Sequence, residues 1–413
     1  MGRQKSFICI DLKSFYASVE CVERGLDPFK TNLVVADPTR SQSTICLAIT
    51  PAMKKLGVKN RCRIHEIPAG IEYITAMPRM QLYIDYSARI YSIYLRYVSK
   101  EDIHVYSIDE CFMDVTNYLS LYHMTGKEMA VELMDAVMKE TGITATAGIG
   151  TNLYLAKVAM DIVAKHVEDH IGILNEISYR QQLWDHRPLS DFWRIGSRTE
   201  KKLAGYGIHT MGDIAYTSVT SEEWLYKMFG IDAELLIDHA WGLESCDIHD
   251  IKNYHTEEHS LSNGQVLMRN YSFEEAAVVV REMTDVLVLD LVSKGLITGS
   301  VTLWIAYDHR YERPSSHGTV RLTSLTNSSS TIMDEVDKLY QKITDRHTGI
   351  RRIEICANRV MPEGYLQYDL FTDPATVEKE KNLQQAILDV KKKYGKNAIM
   401  RGANLLDCST YRE

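Results

Sequence analysis

The apolar positions open as a short unbroken run, Phe7 to Ile10, that ends on Asp11. Such a run predicts a buried strand with an acid at its C-terminal end. Ser14 to Glu20 then reads as the start of a helix, 32–36 and 43–48 as short strands, and 51–56 as a helix stopped by Gly57. From Arg79 to Ser99 apolar residues recur at helical spacing (Leu82, Tyr86, Ile90, Ile93, Tyr97), which predicts a long core helix. Two strands follow, 104–107 and 111–115, joined at Ile108-Asp109-Glu110. A helix over 126–141, a strand over 144–148 and a helix over 152–165 complete a sheet with helices on one face, interrupted near its start by an insertion. That is the α+β pattern.

Beyond residue 175 the pattern changes. Residues 178–242 read as short helices and turns, and 247–259 as a linker, rich in charge and histidine and poor in apolar periodicity. A second α+β unit follows. It has a strand over 260–268, a helix to Ser293 opened by the capping box Ser272-Phe273-Glu274-Glu275, strands over 300–306 and 319–325, a helix over 331–345 and a last strand over 351–357. This is the β-α-β-β-α-β order of a split βαβ module. The tail holds one predicted helix, 375–394, with Leu383, Ile387, Val390 and Tyr394 on one face.

Composition narrows the class. With 413 residues, 25% charged and 45% hydrophobic, the chain is neither mostly disordered, collagenous nor a long coiled coil. No apolar run approaches the roughly 18 residues of a membrane helix. The first residues lack the apolar core of a signal peptide, so the expected location is the cytoplasm, with no membrane partner. Eight scattered cysteines, none in a CxxC pair, are expected to be reduced thiols rather than zinc ligands. The net charge of −8 does not advertise nucleic acid, but a total can hide a basic face.

The candidate chemistry is acidic. Asp11 ends one strand, and Asp109 and Glu110 join two others. If those strands neighbour one another, three carboxylates meet, and they repel unless cations lie between them. Mg²⁺ favours such all-oxygen sites, and two ions there can serve phosphoryl or nucleotidyl transfer. Spacing alone leaves open an ordinary solvated turn.

Two segments carry a resemblance. Asp11-Leu12-Lys13-Ser14-Phe15-Tyr16-Ala17-Ser18-Val19-Glu20 and Tyr106-Ser107-Ile108-Asp109-Glu110-Cys111-Phe112-Met113-Asp114-Val115 closely resemble the two catalytic motifs of Y-family DNA polymerases, in the UmuC-like (ImpB/MucB/SamB) branch with its Gram-positive UV-damage repair proteins. The resemblance spans about residues 5–371. It implies a right-hand polymerase: ferredoxin-like palm (1–15 and 80–175), small fingers (16–79), helical thumb with a helix–hairpin–helix (176–246), β-α-β-β-α-β little finger (254–360) and a tail (361–413). It implies two Mg²⁺ ions on Asp11, Asp109, Glu110 and the carbonyl of Leu12, with Tyr16 as the steric gate against a ribose 2′-OH. Phe15, Tyr16, Lys54 and Lys165 would contact the incoming nucleotide. Pro51 stands where the family usually has an aromatic, and Lys54 where it usually has an arginine, so a point charge replaces a planar fork. Lys13, where Asp or Asn often stands, is read as no metal ligand. Lys157 and Lys165 are placed on one helix, and the alternative for all these lysines is a solvated helix face.

The segment 191–213 resembles the helix–hairpin–helix, with Gly196 admitting a DNA phosphate and Arg198, Lys201 and Lys202 beside it. In the little finger, Arg269, Arg310, Arg313, Arg321, Arg351 and Arg352 are candidates to track template phosphates. Gln367-Tyr368-Asp369-Leu370-Phe371 matches the bacterial sliding-clamp peptide, with Gln367, Leu370 and Phe371 as its anchors. The tail helix could dock an accessory subunit or a recombinase filament. The expected reaction is translesion DNA synthesis on primer-template DNA from dNTPs, of low fidelity and without proofreading, in SOS and UV-damage tolerance. Two other classes remain: a two-metal nucleotide cyclase, which has no use for a helix–hairpin–helix, and a non-catalytic DNA-binding subunit that keeps the fold.

Overall fold

The computed structural model describes residues 5–39, 43–254, 260–365 and 374–412. It divides into two compact units, residues 1–254 and 255–413. Among the described residues no helix is long and apolar enough to cross a membrane.

The first unit is built on strand β1 (Phe7–Leu12), followed at once by helix α1 (Phe15–Val22). Helix α2 (Met80–Tyr94) leads to β2 (Ile103–Val105) and β3 (Glu110–Asp114). Helix α3 (Gly126–Thr141), β4 (Ala145–Gly150), helix α4 (Leu153–Asp161) and β5 (Ile171–Leu174) complete it. The sheet order is β2-β3-β1-β4-β5, so β1 lies at the centre, antiparallel to both β3 and β4.

The expectation of helices on one face only is corrected. Ile8, Ile10 and Leu12 pack toward α2 and α3 with Tyr83, Ile90, Leu133 and Val137. Phe7, Cys9 and Phe112 pack the other way, against Leu153, Ala156 and Met160 of α4 and against Ile248. A central strand covered on both sides is the physical reason for its unbroken apolar run. The buried face of α2 also differs from the expected one. Tyr83, Ile90, Ile93 and Tyr94 are buried. Tyr86 and Tyr97 sit at the rim, their hydroxyls donating to Glu23 and Glu132.

The insertion between α1 and α2 has its own small core, including Val34, Cys46, Ile49, Met53 and Ile64. Its strands are Leu33–Val35, Ala48–Ile49 and Ile74–Ala76. Of the expected strand 43–48 only its last residue is in a ladder, with an isolated bridge at Ile45. The helical region from Glu176 to Trp241 includes α5 (Ser197–Ala204) and α6 (Met211–Thr220). It shares a core with α4, where Tyr154, Leu155 and Val158 meet Phe192, Leu203 and Ile214.

The linker reading fails for its first half. Residues Ile248–Asn253 form a helix, capped by Asp247, whose side chain accepts from the Asp250 N–H. Ile248 is buried. Two apolar residues in a charged stretch, Ile248 and the partly buried Ile251, dock this short helix over the strand face.

The second unit follows the expected order, with strands longer than read. It runs β6 (Ser260–Tyr271), α7 (Phe273–Ser293), β7 (Leu296–Tyr307), β8 (Ser316–Thr326), α8 (Ser329–Ile343) and β9 (Ile350–Asn358). The Ser272–Glu275 capping box forms. The antiparallel sheet, in order β8-β7-β9-β6, buries Val301, Leu303, Ile305, Ile353 and Ile355 under α7 and α8.

The tail helix α9 (Pro374–Tyr394) returns to this helical layer. Glu380 accepts from the Ser330 N–H and the Ser328 hydroxyl, and the Gln384 amide donates to the Asn327 carbonyl. The buried Glu282 of α7 accepts from Asn404, Ser409 and the Thr410 N–H.

Candidate functional site

In the antiparallel register Asp11 stands directly opposite Glu110, and the Leu12 N–H donates to the Asp109 carbonyl at 2.9 Å. Register partners share a face with Cα atoms about 5 Å apart. Asp109 lies in the turn just before β3, so it escapes strand alternation. Its carboxylate accepts from the Ser107 hydroxyl at 2.7 Å. The fold therefore brings the three expected acids to one end of β1 and β3, with Leu12 among them.

Electrostatics agree with the geometry. Burial, then the charges of Asp109 and Glu110, push the Asp11 carboxyl up to about 7, against an opposing pull from Lys157. Burial also raises Glu110, opposed by the Lys157 ammonium and the Cys9 thiol. Three crowded carboxyl groups form a hard, oxygen-only donor set, and this fits divalent cations of the Mg²⁺ type.

Ser14 has φ 49° in the left-handed region and turns the chain sharply out of β1 into α1, whose first turn has no side-chain cap. The N–H groups of that turn are donors available to a phosphate. Phe15 is only 2% exposed, so its side chain belongs to the core rather than to the surface of the site. Tyr16 is half-buried, and its hydroxyl is raised by burial and by Asp109, against Arg61. The gate candidate thus borders the acids.

Lys54 lies on the short helix Pro51–Lys55. Partial desolvation lowers it, with Asp11 pulling it up and Lys165 pushing it down. Desolvation and the Lys54 charge hold Lys13 down to about 8. Lys54 is thus within electrostatic reach of Asp11, Lys13 and Lys165. Lys165 is not on α4 as expected: the helix ends at Asp161, and Val163–His166 is a 3-10 turn. The β-branched pair Ile162-Val163 is a physical reason for the early stop.

Lys157 corrects the reading of a solvated helix face. It is 7% exposed and bridges Glu110 and Asp161. Sequence reasoning left Lys157, Cys9 and Arg61 out of the site. The only signal for Lys157 was its spacing of four from Asp161.

Gly196 is the N-cap of α5, preceded by a 3-10 turn at Leu189–Asp191 and by Arg194 at φ 68°. Arg198 and Lys201 are exposed. Lys202 is committed to local packing, donating to the Met228 carbonyl and lying 4.7 Å from the Phe229 ring centre.

In the second unit the sheet face away from α7 and α8 carries Thr302, Trp304, Thr319, Arg321 and Arg352, as the pairings Ser300↔Arg321 and Ala306↔Arg352 require. Arg269, Arg310 and Arg313 are held in ion pairs with Glu275, Asp308 and Asp345. Arg351 is half-buried beside the register shift between Ile350 and Arg352. Gln367, Leu370 and Phe371 lie outside the described residues.

Residues 10–161 match the model of the impB/mucB/samB family, and residues 258–370 that of its C-terminal domain. The chain is 30% identical over 409 residues to UvrX of Bacillus subtilis (strain 168), named as a UV-damage repair protein, covering 98% of this chain and 95% of the relative. It is 29% identical over 409 residues to DNA polymerase IV 2 of the same organism, covering 98% and 96%. Among solved structures, the Y-family DNA polymerase chimera Dbh-Dpo4(243-245)-Dbh superposes with a TM-score of 0.67 at 21% identity, over 86% of this chain and 99% of that one.

Proposed function

Because the chain belongs to the impB/mucB/samB family, we propose that it is a DNA-directed DNA polymerase of the translesion type, extending a primer opposite damaged template. The observation that carries this reading is the meeting of Asp11 and Glu110 as register partners beside the Asp109 turn. A nucleotide cyclase would leave the Gly196 hairpin and the open sheet face of the second unit without a role. A binding-only subunit would have no need of three crowded acids.

In this reading Asp11, Asp109, Glu110 and the Leu12 carbonyl hold two divalent cations, Mg²⁺ by the chemistry of the donors. When bound, these supply activation of the primer 3′-OH and neutralisation of the leaving pyrophosphate. The side chains do the rest. Lys54 and Lys165, with Lys13 beside them, hold the triphosphate by charge. The N–H groups opening α1 add hydrogen bonds to it. Tyr16 places a ring beneath the sugar, where an added hydroxyl finds no room. Gly196 and its neighbours Arg198 and Lys201 grip duplex phosphates without reading bases. Arg321 and Arg352 offer charge to the template backbone.

Gln367, Leu370 and Phe371 carry the sequence pattern of a sliding-clamp peptide, and tethering would raise the effective concentration of a distributive enzyme. The test is primer extension across an ultraviolet photoproduct, with and without the clamp, comparing the native chain with Asp109→Ala and Phe371→Ala. Synthesis that survives Asp109→Ala overturns the reading. Clamp stimulation that survives Phe371→Ala removes only the tether.

A further inference from the structure

The carboxylate of Glu110 is already engaged at both oxygens. The Lys157 ammonium lies 2.9 Å from Oε1 and 3.0 Å from Oε2. The Cys9 thiol donates to Oε1 at 3.3 Å. Lys157 is held in turn by Asp161, one helical turn on, at 3.0 Å from Oδ2 and 3.1 Å from Oδ1. The side chains of Lys157 and Glu110 are 9% and 8% exposed, whereas that of Asp161 is 31% exposed. A buried ammonium between two carboxylates has lost its water, and such an arrangement persists only when its geometry is tightly fixed. It sits on the face of β1 and β3 that carries Asp11.

We propose that Lys157 is a positioning residue, which fixes the Glu110 carboxylate toward the cation site and offsets the acid cluster before cations arrive, with Asp161 fixing the lysine. This rests on the two-cation reading of the site.

An ionised carboxylate has about four lone-pair directions, and Lys157 and Cys9 already make three contacts to it. A cation therefore competes with Lys157 for Glu110 and is repelled by it. Removing the lysine should tighten cation binding while loosening the ligand that must be placed for chemistry. Affinity and turnover then move in opposite directions, whereas a lysine that only supports the fold would lower both together with thermal stability.

The experiment compares the full-length chain with Lys157→Met, Lys157→Arg and Asp161→Asn. Mn²⁺ alone is titrated by electron paramagnetic resonance, and primer extension is measured in parallel. For Lys157→Met we expect Mn²⁺ affinity to rise about threefold, from the lost like charge, and kcat to fall about tenfold or more, from the misplaced ligand. Lys157→Arg should restore most of the turnover. Asp161→Asn, at a partly exposed position, should shift both quantities the same way by less, and it carries the test if Lys157→Met does not fold. Turnover at the native level in the variants, or affinity and turnover falling together, overturns the proposal. Asp11→Asn separates the two layers of argument. If it leaves Mn²⁺ binding and extension intact, the two-cation reading itself fails; if it abolishes both while Lys157→Met changes neither, only the role of Lys157 fails.

Discussion

The ring of Tyr16 lies nearly parallel to that of Tyr83, with centroids 4.5 Å apart and planes 17° from each other. Tyr83 is fully buried, and its hydroxyl donates to Glu20 at 2.8 Å, a carboxylate that Arg79 grips at both oxygens. The candidate gate therefore rests on an anchored aromatic. Tyr16→Ala is expected to raise ribonucleotide use relative to deoxynucleotide by about 100-fold, the scale on which pocket shape discriminates small groups. Tyr83→Leu should raise it by about tenfold, and Tyr83→Phe, which keeps the flat face, should stay near the native ratio. Paired kcat/KM values measure this, and an unchanged ratio in Tyr16→Ala would remove the gate.

Asp11→Asn and Asp109→Ala each take an oxygen donor from the crowded end of β1 and β3. Turnover should fall on the order of 10³-fold, as expected when a preorganised charge contact is lost. Primer-template affinity should change little, because the groups proposed to face DNA are other residues. Single-turnover extension beside fluorescence anisotropy separates the two effects.

Lys54 lies within electrostatic reach of Asp11, Lys13 and Lys165. Lys54→Ala should raise KM for the nucleotide about tenfold, the scale of one charged hydrogen bond, with a smaller effect on kcat. Lys54→Arg should keep KM near native. A KM unaffected by Lys54→Ala would place the triphosphate elsewhere.

Asp247 supplies a pH dependence unrelated to catalysis. Burial works against its charge, but the Lys5 ammonium and the N–H groups of Asp250 and His249 outweigh that and hold the carboxyl below its usual value. A depressed acid stabilises the folded state above the unfolded value, near pH 4, and loses that contribution as pH falls through the folded one. Asp247→Ala should cost about 1 kcal/mol at neutral pH, a typical N-cap loss. The deficit should shrink in melts at pH 3. A deficit independent of pH would place the effect in packing rather than charge.

Arg321 and Arg352 share the uncovered face of the second sheet, although Arg352 also pairs with Glu354 at 3.1 Å. Replacing Arg321 by Ala should weaken DNA binding equally across sequences and reduce the slope of log K against log salt by about 1. Arg269→Ala, which removes an ion pair with Glu275, should leave that slope alone.

What could be read ahead of the structure follows from where information is local. Phe7 to Ile10 announces a buried strand because four adjacent apolar residues admit few alternatives, and Ser272 with Glu275 announces a helix start by a pairing three residues apart. The side of a helix on which a lone lysine falls is a tertiary fact. Lys157 looked like any surface lysine until α4 was laid against the sheet. Ile248 was hidden for a similar reason, since the charged residues around it mask the apolar contacts, its own and that of Ile251, that dock Ile248–Asn253. On and just beyond α2, tyrosine hydroxyls blur the apolar stripe, so helical spacing alone does not set rim residues Tyr86 and Tyr97 apart from core ones.

Where α4 crosses β4 and β5, those two strands meet it through glycines. A methyl placed on Gly148 would meet the Ala156 carbonyl at 2.1 Å, on Gly150 the Ala156 nitrogen at 2.2 Å, and on Gly172 the Ala159 carbonyl at 2.1 Å. Together these glycines set the height at which α4 rides and hence the reach of the Lys157 ammonium it delivers. Adding one carbon at Gly148 would lift the helix like a shim under a lever. Substitutions remote from every reacting atom would then register as a loss of synthesis, and a screen for inactive variants would recover glycines as readily as acids.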